Sequence, residues 1–199
     1  MGIIKRAGDL VYTFRFLRLL TTSFKDTEAF KVGIIDDKGK RLKSFNMNDI
    51  ENRDKYREYY TPFHRLVFNI KKIMAKAPGG DSKFASYAAA LFLLKEEFGV
   101  TEKKIKSAML NANIDITDIM TEGSQWFLLD DGRLSPGRYK VKHEKVISDT
   151  LDEYVRPKDW VVVGPKAYPI GNIFGLNIYE ATHKGTNRKV HITVDELMT

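Results

Sequence analysis

The sequence predicts an α+β protein: a helical bundle over residues 1–112, a linker or short helix over 113–122, and a small antiparallel β domain over 123–199. Two observations lead there. Apolar residues recur every three or four positions up to about residue 112, and every second position from about Gly123 onward. The charge divides at the same place. Residues 1–112 hold 22 Lys and Arg against 13 Asp and Glu, and residues 113–199 hold 11 against 13, so the halves carry +9 and −2. At 199 residues the chain has room for one sizeable core or two small ones.

The first helix is expected from about Asp9 to Thr22, with Leu10, Val11, Phe14, Leu17 and Leu20 as its apolar positions and Arg15 and Arg18 together on its side. "DTEAFKVG" reads as a short helix with Asp26 as its cap, and "IDDKGKRL" as a turn in which Gly39 takes positive φ. "NMNDIENRDKYREYY" is a polar helix. Thr61 and Pro62 open the next one, because Thr accepts a bond from an orphan N–H and Pro lacks an N–H that would go unused there. Pro78, Gly79 and Gly80 end it. "DSKFASYAAALFLLKEEFG" follows, capped by Asp81 or Ser82 and stopped by Gly99; its centre is apolar all round, which places it in the middle of the bundle. "TEKKIKSAML" restarts a helix at Thr101, and "ITDIM" adds a turn.

Beyond Gly123, "QWFLLDDGRLSPGRYKVKHE" holds two strands separated by Asp131-Gly132 and Ser135-Pro136-Gly137. "WVVVG", "LNIYEATH" and "RKVHITV" complete five, the last two joined as a hairpin by "KGTN". A strand, a bend, a long hairpin and a closing "VDEL" resemble the pattern of SH3-like barrels.

The chain has no cysteine, which excludes disulfides, zinc–thiolate sites and a thiol nucleophile. Asp9, Arg15 and Arg18 interrupt the apolar N-terminal stretch before it reaches the ~20 residues of a membrane span, so no membrane partner is expected. No signal-peptide pattern is visible, and Arg6 stands where a myristoylation motif needs Ser or Thr; an intracellular protein is expected.

Catalysis needs a nucleophile, a base or a metal set, and each is poorly represented. His64, His143, His183 and His191 are not spaced as helical metal ligands; His64 reads as a partly buried or helix-start residue, and His183 and His191, which flank a hairpin where they could face each other, as a surface pair rather than ligands. "PGGDSKF" lacks the Gly-Lys-[Ser/Thr] ending of a phosphate loop. The pairs Asp36-Asp37 and Asp130-Asp131 fall in turns beside Gly39 and Gly132, Glu96-Glu97 falls on an exposed helix end, and "DDKGKRLK" lacks calcium-loop spacing. The expectation is a non-enzyme without cofactor or metal.

What remains is positive charge. Along the helix from Thr61, Arg65, Asn69, Lys72 and Lys76 fall at i, i+4, i+7 and i+11 with Lys71 beside them, opposite Phe63, Leu66, Ile70, Ile73 and Met74. Arg15, Arg18, Lys103 and Lys104 add to the same half, as do Lys5, Arg6 and Lys106. These cations are the candidates for contact with successive phosphates, or with carboxylates of an acidic partner. Exposed aromatics for stacking on unpaired bases cannot be picked out.

At "DLVYTFRFLRLLTTSFKDTEAFKVGIIDDKGK", "YTPFHRLVFNIKKIM" and "PGGDSKFASYAAALFLLKEE", the chain resembles small virion or prohead-core-type proteins of T-even-like tailed phages, over roughly residues 9–98. The ending "AYPIGNIFGLNIYEATHKGTNRKVHITVDEL" has a similar character. The resemblance transfers no site residue. It implies a structural or head-assembly protein made in the bacterial cytoplasm and packaged in the phage head, meeting packaged DNA through non-specific phosphate contacts, or acidic scaffold and capsid proteins. The alternative is a nucleic-acid-binding regulatory module with an SH3-like protein-interaction domain.

Overall fold

A computed structural model describes residues 2–77, 82–114, 116, 127–151 and 154–199, with residues 2–9, 82 and 83 described by their backbone alone. Six helices come first: α1 (Gly2–Thr21), α2 (Glu28–Lys31), α3 (Ile50–Tyr59), α4 (Pro62–Lys76), α5 (Ser82–Phe98) and α6 (Glu102–Asn111), with a 3-10 turn at Phe24–Asp26. The strands follow: β1 (Gly137–Val141), β2 (Lys145–Val146), β3 (Tyr154–Val155), β4 (Trp160–Val163), β5 (Gly171–Ile173), β6 (Leu176–His183), β7 (Arg188–Ile192) and β8 (Leu197–Met198), the last entered through a 3-10 turn at Val194–Glu196. The α+β class is as the two periods predict. The expected linker lies mostly outside the described residues, as do the "ITDIM" turn apart from buried Ile116 and most of the glycine turn before α5.

Local chemistry sets the helix starts. Thr61 Oγ1 accepts from the N–H of His64 with Pro62 in the first turn, as expected, and Asp49 caps α3 by accepting from the N–H of Glu51 at 2.9 Å. The cap of α2 is Thr27, which accepts from the N–H of Phe30, and not Asp26, whose carboxylate is taken by the Ser23 hydroxyl. Asp36 Oδ1 accepts from the N–H groups of Lys38 and Lys40, which closes the turn that holds Gly39 at φ +75°.

The main sheet is antiparallel, ordered β5-β6-β4-β1-β8 with β7 also on β6, and curls into a half-barrel. Among the described residues eight short strands replace the five expected. Of the first expected strand of "QWFLLDDGRL", Gln125 and Trp126 lie outside the described residues, and the described part makes a single bridge, Leu128 to Leu134, around the Asp131-Gly132 turn. Strands β2 and β3 form a separate pair, tied to the sheet by a bridge between Ile147 and Val190.

Helix α5 organises the molecule. Every residue from Phe84 to Leu94 is buried, because the helix is covered on one side by α4 and on another by the β half. Its core cluster takes Phe16, Phe63, Leu66 and Ile70 from the bundle and Val146, Leu151, Ile173 and Ile178 from the β half, so the two halves share one core. Gly171 permits this approach: a Cβ there would lie 2.6 Å from the Phe92 ring. A second cluster fills the curl of the sheet with Tyr139, Val141, Val161, Val163, Tyr179, Val190 and Leu197.

One polar link runs through the junction. Lys145 on β2 and Glu196 in the last 3-10 turn form an ion pair, with side chains 2% and 0% exposed. The Lys145 ammonium also donates to the Ser86 carbonyl of α5 at 3.0 Å, and the Glu196 carboxylate accepts from the N–H and hydroxyl of Thr193. Burial pushes the Lys145 pKa well down, which the carboxylate beside it opposes.

Helix α1 corrects the expected apolar side. Its buried face is Phe16 and Leu20, with Tyr12 and Leu19 packed against core clusters, whereas Leu10, Val11 and Phe14 point outward at 52, 48 and 68% exposure. The helix carries more apolar residues than one stripe can hold, and contacts with α4 and α6 decide which of them go inward.

Candidate functional site

The cationic row of α4 is not an open stripe. Asn69, in its middle, is 3% exposed and donates from Nδ2 to the Leu151 carbonyl at 2.6 Å, which turns this side of the helix toward the β half. Arg65 is half-buried with contacts inside the molecule, and Lys72 holds its ammonium 5.5 Å from the centre of the Tyr154 ring. Lys76 pairs with Glu144 at 2.7 Å. Lys71 donates to the carbonyls of Leu19 and Thr22 and lies 4.4 Å from the centre of the Phe24 ring. It satisfies carbonyls that the end of α1 leaves orphaned, and burial lowers its pKa. Four of the candidate cations are therefore engaged within the fold. Sequence spacing finds their common side correctly but cannot show that a second layer packs over it.

The remaining candidate cations lie on α1 and α6. Arg15 and Arg18 are exposed, and neither guanidinium has a hydrogen bond or ion pair among the described residues. They line a cleft of about 320 Å³ together with His64, Tyr59 and the carboxylates Asp26, Glu28 and Glu58, of which Glu28 is held by Lys31 at 2.7 Å. On α6, Lys103 and Lys106 are exposed and Lys104 is half-buried with contacts inside the molecule; Leu110 on the same helix is 48% exposed. Helices α1 and α6 pack together, and each carries both exposed apolar and exposed cationic groups. Spacing alone missed Leu10, Val11 and Phe14 as surface residues. The available signal is the excess of apolar positions on α1, which run nearly all round the helix.

Three of the four histidines contact neighbours inside the fold. His64 Nδ1 lies 2.7 Å from Thr61 Oγ1, and burial first, then the nearby Arg15 charge, pushes its pKa down to about 4. His183 and His191 do not face each other, because the hairpin register pairs His183 with Arg188 and His191 with Glu180. His183 bonds to Thr186 at 2.9 Å, while His191 turns to the Phe92 ring on α5 and is pushed down by burial. Asp131 accepts from Arg133 within its turn, which lowers its pKa. Among the described residues no group of three or more His, Asp or Glu is placed to hold a metal ion, and no helix is long and apolar enough to cross a membrane.

Comparison with known proteins gives no match to a family model, a curated protein or a solved structure.

Proposed function

We propose that this is a non-enzymatic assembly protein that docks an acidic protein partner on the outward face of α1. The observation that supports it is the strip Leu10, Val11 and Phe14, exposed on a helix that also presents the uncommitted cations Arg15 and Arg18. Burying three such side chains favours association by a few kcal/mol, and the flanking guanidiniums select carboxylates and speed encounter. An acidic amphipathic helix offers both surfaces at once. A phosphate backbone offers charge but no apolar surface for Phe14, so an acidic scaffold or capsid-type protein suits this face better than packaged DNA. The resemblance over residues 9–98 supports a tailed-phage setting: synthesis in the bacterial cytoplasm and carriage into the head with other virion proteins.

The test is binding to a labelled amphipathic peptide with a Leu face and a Glu face, followed by fluorescence anisotropy. Phe14→Asp and Arg18→Glu should each weaken binding at least tenfold without lowering thermal stability, and Phe14→Asp should leave the chain out of assembled particles. Unchanged binding by both variants would overturn the proposal.

A further inference from the structure

The curled sheet has an inner face, filled by its own core, and an outer face that α5 covers only at one end. There Ile178 joins the helical core and the His191 ring meets Phe92 at 5.7 Å between centres. Among the described residues the other end is open. Strand β4 alternates, with Val161 and Val163 inward and Trp160 and Val162 outward at 39 and 38% exposure.

Cross-strand partners lie on the same face, so the register fixes what surrounds the indole. Lys140 of β1 is opposite Trp160, and on the other side the N–H of Lys184 donates to the Trp160 carbonyl at 2.9 Å, placing Lys184 across from it. The next row is Arg138, Val162, Thr182 and Lys189. The exposed ring therefore stands between cations on both sides, one strand spacing of about 4.8 Å away, and the exposed valine stands between Arg138 and Thr182. The Lys140 ammonium is 4.8 Å from the centre of the indole, and Arg138 and Lys184 have no ion pair among the described residues. The carboxylate nearest the second row, Glu180, is paired to Lys189 at 3.0 Å. A half of the chain with net charge −2 thus presents a local positive face around an aromatic ring.

We propose that this open half of the sheet is a platform for single-stranded nucleic acid, with an unpaired base stacked on Trp160 and flanking phosphates held by Arg138, Lys140 and Lys184. Stacking needs a free base face, which a single strand supplies and a duplex interior does not. The cations on either side match a chain that carries phosphate on both sides of each base.

The experiment uses the full chain and a labelled 12-nucleotide single strand of mixed sequence at low salt, read by anisotropy. In a Trp126→Phe background Trp160 is the sole tryptophan, and its fluorescence should be quenched on binding. Trp160→Ala should weaken binding about 5- to 150-fold while Trp160→Phe retains most of it. Arg138→Glu and Lys184→Glu should weaken it and each flatten the salt dependence by about one unit of slope. Arg18→Glu, on the face proposed for the acidic partner, should change nothing here, which keeps the two proposals separable. Absence of binding at low salt, wild-type affinity in Trp160→Ala, equal affinity for a duplex of the same length, or loss in Arg18→Glu would each overturn the assignment.

Discussion

Replacing Glu196 with Gln tests the link between the two halves, since it removes one charge from a fully buried pair and keeps the volume. The amide oxygen still accepts from the Thr193 N–H, so the capping role survives. What is lost is the counter-charge of Lys145, which is left 2% exposed with the Ser86 carbonyl accepting from its ammonium. Breaking one side of a buried pair costs about 3–5 kcal/mol. A second route gives a similar ceiling: if Lys145 sheds its proton instead, holding a group of ordinary pKa 10.5 neutral at pH 7 costs about 5 kcal/mol. For a chain of this size that lowers Tm by about 6–20 °C, measurable by circular dichroism. The second route has its own pH signature. With the folded pKa of Lys145 pushed well down by burial and the unfolded one near 10.5, the unfolded state binds the extra proton, so the variant's stability should rise with pH through the alkaline range by up to about 1.4 kcal/mol per unit, until the unfolded lysine also loses its proton. Lys145→Met combined with Glu196→Leu should recover much of the loss. A Glu196→Gln loss below 1 kcal/mol with unchanged pH dependence would refute the claim that this pair joins α5 to the sheet.

His64 has its pKa pushed down to about 4, so below about pH 6.5 the unfolded chain takes the proton first and stability falls as pH drops toward 4; His64→Gln should flatten that fall in urea midpoints. Lys71→Met keeps the aliphatic stem but abandons the Leu19 and Thr22 carbonyls, and should cost about 1–3 kcal/mol in urea unfolding. Lys76→Ala removes an ion pair whose lysine is 60% exposed and should cost less than about 1 kcal/mol in the same assay. Gly171→Val drives side-chain atoms into the Phe92 ring and should lower stability by about 1–3 kcal/mol or more, with Phe92→Ala in the same chain relieving the clash.

Much of the helical half is legible because its signals are local. Thr61-Pro62 supplies its own cap and first helical residue, Asp36 and Gly39 make their own turn, and the all-apolar centre of α5 favours a buried position. The change of period near Gly123 likewise announces strands. The strand number was less visible, since pairs as short as Lys145-Val146 have no alternation to detect and exist through their partners.

The candidate surfaces depended on packing. Arg65, Lys72 and Lys76 share one side of α4 by helical spacing, but spacing says nothing of what lies above that side, and the β half lies there. Leu10 and Phe14 obey the same period as Phe16 and Leu20, and the docking of α1 on α4 and α6 alone chose between them. Trp160 became an exposed ring between cations through the register of three strands distant in sequence. The sequence by itself determined the element types, the turns and the segregation of charge, because those follow from bonds and periods within a few residues. Which of those charges and apolar groups face solvent was decided by tertiary structure, because burial is a property of the surface that arrives from elsewhere in the chain.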